Sequence, residues 1–167
     1  MNKTEVVQIN RLPGDVTELM GMLEQYQHSP LGMAALSVAV LCHWEVNEGE
    51  TIEMMNCIKG PRPLSQLDIQ FIRDRLGGKG YVVKSYIQGT SPDNDYTLPE
   101  APYKIEVSDT PYSYNNANYA TLYLKSSGAA SLRPITLRQK PSTGEWFLWE
   151  HTFLADIRPP KSSDPWA

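Results

Sequence analysis

Three histidines, two cysteines and a run of glutamates are the residues whose types could support acid–base, nucleophilic or metal chemistry in this chain. His28, His43 and His151 would have to supply any Ser/His or Cys/His pair or imidazole-based metal site, and none stands in a local signature of one. His43 follows Cys42 in helical territory, where adjacent side chains point in different directions, and Glu150 and His151 on a strand point to opposite faces. All three read as ordinary core or surface histidines. Cys42 and Cys57 have no CxxC or Cys/His spacing around them and read as buried thiols. Glu48, Glu50 and Glu53 could gather a cation, although a solvated face explains them as well. Gly77, Gly78 and Gly80 lack the Walker lysine and come after a helix instead of before one, so they form a cap and turn and not a phosphate cradle. No catalytic residue, metal ligand or cofactor is therefore expected.

The remaining chemistry is that of contact. A polar segment running from Ser85 and Tyr86 through Gly89, Thr90, Pro92, Asn94 and Tyr96 to Pro102 and Tyr103 combines rigid prolines, a permissive glycine and three tyrosines. Such residues suit a binding loop, and they equally suit an ordered crossover pinned by its own tyrosines. The chain closes with Asp156, Ile157, Arg158, Pro159, Pro160 and then Asp164, Pro165, Trp166. Two prolines cannot extend a sheet, and a tryptophan left in water is costly, so Trp166 should dock on its own domain or on a partner. The candidate binding residues are Tyr86, Thr90, Asn94, Tyr96, Tyr103, Arg158 and Trp166.

These contact residues sit in a chain of 167 residues, the size of a single domain able to bury a core without disulfides or metals. Fifteen basic residues scattered among nineteen acids, with a net charge of −4, do not make the clustered footprint that nucleic acid requires. Met1 to Asp15 contains no apolar run of signal-peptide length, and the apolar stretch Leu31 to Trp44 is too short to span a bilayer. A cytoplasmic protein with no membrane span is expected.

Apolar spacing then sets the elements. Asp15 and Glu18 form a capping-box variant that starts a helix over residues 16–27, and Ser29 before Pro30 starts a second that runs to about Glu45 and is apolar on nearly every side. A short helix is expected within 50–58, and Ser65 opens an amphipathic one with Leu67, Phe71, Ile72 and Leu76 on one face, closed by Gly77 and Gly78. Beyond the glycines the period turns strand-like, with strands expected at 81–87, 103–107, 118–125, 133–140 and 145–154, the last four forming an antiparallel meander. The result is one α+β domain: a helical half over about 1–78, a β half over about 79–157 and a Pro/Trp tail over 158–167. Trp146 and Leu148 fall on one side of the final strand and Phe147 and Trp149 on the other. Either the sheet curls around a cavity, or its second face is covered by the tail or by another subunit.

Ser85, Tyr86, Gly89, Thr90, Pro92, Asn94 and Tyr96, then Pro102 and Tyr103, the Gly144–Leu148 hairpin, and the ending Asp156, Ile157, Arg158, Pro159, Pro160, Asp164, Pro165, Trp166 resemble a family of bacterial proteins of unknown function, many of them from Gram-positive gut species. The resemblance implies a cytoplasmic bacterial protein and carries over no catalytic residue. Two functions fit the residues. The first is a non-enzymatic interaction module whose aromatic loop and tail bind a protein partner or build a homo-oligomer. The second is a small-molecule binding or enzymatic domain with a cone-like α+β pocket, in which Tyr86, Tyr123, Arg138 or His151 would converge.

Overall fold

The computed structural model describes residues 3–166; Met1, Asn2 and Ala167, which bound stretches discussed above, lie outside the described residues. The first helices begin where local hydrogen bonding dictates. α1 (Val16–Tyr26) is capped by the Asp15 carboxylate, which accepts from the Glu18 amide at 2.8 Å. α2 (Pro30–Leu41) starts at Ser29, whose hydroxyl accepts from the Gly32 amide, with Pro30 at the first helical position. α3 (Glu48–Ile58) is a full helix capped by Asn47, and α4 (Gln66–Leu76) has a reciprocal capping box between Ser65 and Asp68.

α2 is the axis of the molecule. From Leu31 to Leu41 every residue is buried, so it has no polar face to turn toward water. It stops short of the expected Glu45: the amides of His43 and Trp44 bond three residues back, to Val40 and Leu41, and the last turn tightens out of the helix.

The sheet is a five-stranded antiparallel meander in sequence order, one strand more than the four expected. The additional strand, β1 (Thr4–Ile9), precedes all the helices and pairs with β2 (Tyr103–Ser108), setting Val7 opposite Ile105. Then follow β3 (Tyr119–Leu124), β4 (Arg133–Lys140) and β5 (Glu145–Glu150). Every strand contacts α2. The inward residues Val7, Ile9, Ile105, Val107, Ala120, Leu122, Leu124, Ile135, Leu137, Trp146 and Leu148 are all buried. The chain is thus an α+β domain whose sheet curls around a helix and not around a cavity.

Three other expectations are corrected. Residues 81–87 form a short helix, α5 (Tyr81–Lys84), and further turns, not a strand. The buried set Val82, Val83, Tyr86 and Ile87 recurs with helical spacing, and Gly80 lies against the Glu45 side chain where a Cβ would collide. β1 within the first half and α5 within the second break the clean division into a helical and a β half. The last strand ends at Glu150 and passes into a 3-10 turn over Thr152–Leu154.

The outer face of β5 is partly covered by the loop after α3. Gly60, at φ +68°, brings that loop so close that a Cβ there would stand 3.0 Å from the Phe147 ring. Among the described residues no helix is long and apolar enough to cross a membrane. Because α2 is shared by all five strands, Leu36→Ala, at a fully buried position, is expected to cost about 2–5 kcal/mol in denaturant unfolding; a loss below about 1 kcal/mol would contradict a single core built on this helix.

Candidate functional site

The residues of the polar segment turn inward. Tyr86 is buried, edge-on to Phe153, and its hydroxyl donates to the Phe153 carbonyl; burial pushes its pKa up, opposed by Arg133. Tyr96, also buried, stacks on Tyr81 and donates to the Arg158 carbonyl at 2.5 Å. The Thr90 hydroxyl bonds the Ile87 carbonyl at 2.8 Å and Ser127 at 3.2 Å, and Asn94 donates to the Gly89 carbonyl while accepting from the Ser91 amide. Tyr103 is half-buried at the start of β2. The five do not converge on one concavity, although Tyr86 and Thr90 share the lining of a small hollow of about 150 Å³; Thr90 and Asn94 fasten the crossover from α5 to β2, and Tyr96 ties it to the tail.

The tail is held in turn by Lys161 on Asp93 and Ser162 on Asp95, each at 2.6 Å, and by the Arg158 amide on the Gly128 carbonyl. The Arg158 side chain is exposed and makes no ion pair among the described residues. Trp166 is 92% exposed and does not pack on its own domain.

Convergence occurs elsewhere, on the outer side of β5. Thr136 pairs with Glu150 and Leu137 with Leu148, which leaves Trp149 as an extra residue in a β-bulge. Its half-buried indole carries the Arg62 guanidinium 4.5 Å and the Arg138 guanidinium 4.9 Å from the ring centroid, with Tyr119 edge-on at 5.6 Å. On one side lies a groove of about 510 Å³ with Phe147 and Trp149 among its walls, together with Pro61, Lys59, Arg138 and Lys140. On the other lies a hollow of about 340 Å³ lined by Arg62, Leu67, Asp68, Phe71 and His151. Lys59 and Trp149 belong to both.

Each group is set by an element end. Lys59 is the C-cap residue of α3, is 4% exposed, and donates from Nζ to the Trp149 carbonyl at 3.1 Å. Burial lowers its pKa; Asp68 and Glu150 pull it back up, whereas Arg62 lowers it further. His151, directly after β5, is 7% exposed, meets Phe71 edge-on at 5.8 Å, and has a buried Nδ1 without a hydrogen-bond partner among the described residues. Its pKa is pushed down to about 4, chiefly by burial and then by Lys59, against an upward pull from Asp68. Burial tends to raise the Asp68 carboxyl, but the Ser65 amide and hydroxyl, with His151 and Lys59, hold it below its ordinary value. Leu67, expected on the buried face of α4, is 80% exposed beside this hollow, while Ile72 and Leu76 supply the core face.

The remaining titratable groups do not join this cluster. His43 pairs through Nε2 with Glu50 at 2.9 Å, and Glu48 with Arg73 at 3.1 Å. Cys42 is a buried thiol pushed up to about 12 by desolvation, and Cys57 is only half-buried; both are free.

Of the groups weighed for a pocket, Arg138 and His151 flank Trp149, whereas Tyr86 and Tyr123 lie elsewhere. Lys59 and Arg62 were not anticipated. The signal for them was the lysine at the end of α3 followed by Gly60, Pro61 and Pro63, a rigid loop able to fold back on the second apolar face of β5.

His151 yields a pH dependence of definite sign. Above its ordinary pKa of 6.5 it is neutral in both states; as pH falls toward about 4 the unfolded chain takes up a proton that the folded chain resists, so stability is lost across that window. The full loss attributable to this group is about 3 kcal/mol. Denaturant unfolding at about pH 7 and about pH 4 should show the parent losing more stability than His151→Gln by about that amount; parallel losses would contradict a neutral, buried imidazole.

No curated protein and no solved structure matches the chain. A family model described as a domain of unknown function, DUF6935, matches residues 11–161. That match takes in all five helices, the four strands β2 to β5 and every group around Trp149, and on it the protein belongs to the DUF6935 family, a domain of unknown function.

Proposed function

We propose that the protein is a non-enzymatic binding domain whose ligand lies in the groove over Phe147 and Trp149. The observation that carries this reading is the groove's make-up: about 510 Å³ of concave surface walled by two aromatic rings, Pro61 and Pro141, with cations at its margin. Volumes of about 300–1,000 Å³ with mostly apolar walls and few polar groups are characteristic of small-molecule sites. The crossover lines a smaller hollow of about 350 Å³ with no aromatic side chain in its wall, because Tyr86 and Tyr96 are buried and their hydroxyls already donate to backbone carbonyls. A bacterial, cytoplasmic setting, implied by the sequence resemblance, belongs to the same proposal. Titration with phenylnaphthylamine, an uncharged fluorescent aromatic, tests it: Trp149→Ala should weaken binding at least about tenfold, the loss of roughly 1.4 kcal/mol of contact, with the thermal midpoint little changed and Met20→Ala as a remote control. Equal affinities in parent and Trp149→Ala would remove the groove as the seat.

A second reading, interaction with a protein partner or a second copy of the chain, is favoured by Trp166 alone, a large anchor-type side chain that stands 92% exposed. Sedimentation of the parent should then show self-association that Trp166→Ala weakens by about thirtyfold, equivalent to roughly 2 kcal/mol; a parent that stays monomeric at high concentration would exclude the homo-oligomer.

A further inference from the structure

We propose that the ligand of this groove is an organic anion, an apolar or aromatic body carrying one carboxylate-like group that is held between Lys59 and Arg138. The inference rests on the binding reading above and adds the chemical class. Lys59, Arg138 and Lys140 line the groove and no aspartate or glutamate does, in a chain whose net charge is −4. The local sign is therefore opposite to that of the whole molecule. Glu145 stands opposite Lys140 at the end of the β4–β5 pair without lining the groove, and Asp68 and Glu150 line the hollow on the far side of Trp149.

None of the three cations makes an ion pair among the described residues, and Lys59 and Arg138 are the two set against Trp149. An ammonium has three N–H groups, and among the described residues Lys59 makes one hydrogen bond, to the Trp149 carbonyl, and no ion pair. It is 4% exposed, so water compensates it poorly, and the downward pull of burial on its pKa is the same deficit expressed as a proton affinity. Arg138 lies over Trp149 and Tyr119 at 4.9 and 5.5 Å from their centroids. A guanidinium stacked on rings keeps its in-plane N–H groups directed outward, where they can take a carboxylate in a fork. An anion between these groups would supply acceptors to both, while its body replaces water on Phe147 and Trp149.

Anilinonaphthalene sulfonate and phenylnaphthylamine share an aromatic body and differ in the anionic group, so their fluorescence titrations separate the two levels of the proposal. The parent should bind the sulfonate at least about tenfold more tightly, a margin that shrinks as salt rises. Lys59→Gln, which keeps a donor for the Trp149 carbonyl, and Arg138→Gln should each cut sulfonate affinity about tenfold and leave phenylnaphthylamine within about twofold. If the parent binds both probes equally while Trp149→Ala weakens both, anion recognition is wrong and the apolar seat survives. If Trp149→Ala leaves both titrations unchanged, the groove itself is wrong. Should Lys59→Gln fail to fold, Arg138→Gln alone decides, because its side chain is exposed and outside the core.

Discussion

The fold depends on the need to hide α2. A twelve-residue helix with eleven buried residues has no solution in a flat two-layer packing, since one layer covers only one side of a helix. The five strands wrap it on one side, while α1, α3 and α5 contact it from the other. Curling a sheet that far requires local irregularity, and the bulge at Trp149 supplies some of it at the edge strand. Phe147 and Trp149 keep the outward side that strand alternation gives them and wall the groove together, and the residue the bulge takes out of alternation is Glu150. Core formation and site formation therefore use the two faces of one strand.

The groove also depends on charge placed at low exposure. Lys59 sits at the end of a helix, where a cation opposes the negative end of the helix dipole, and reaches the backbone of a strand distant in sequence. His151 stays neutral beside it, chiefly because burial disfavours the imidazolium and then because a second positive charge would meet that of Lys59. The arrangement keeps one cation where two basic groups are adjacent.

Much of this was legible in the sequence. The caps at Asp15, Ser29 and Ser65 mark helix starts because a side-chain oxygen must meet a free amide, a local requirement. Strands β2, β3 and β4 show the alternation of a sheet with one buried face. β1 was missed because the run from Thr4 to Ile9 buries only Val7 and Ile9, and its pairing with β2 lies across the entire helical layer. Residues 81–87 were misjudged because β-branched Val82 and Val83 suggest a strand, whereas packing fixes a helix. The apolar character of both faces of β5 was visible, but what covers the outer face was not: Gly60 and Arg62 reach it only through tertiary structure. The Pro, Asn and Tyr residues of the crossover suggested recognition because loop-building and ligand-binding draw on the same residue types.

The bond from Lys59 to the Trp149 carbonyl has a further consequence. β5 closes one side of the sheet, and a terminal strand normally offers free peptide groups to any extended chain that arrives. Here the Trp149 carbonyl is taken by Lys59 and the Trp146 amide by the Gln27 carbonyl, both from the helical layer. The lysine that lines the groove thus also occupies a peptide group that an arriving strand would otherwise pair with in the folded protein.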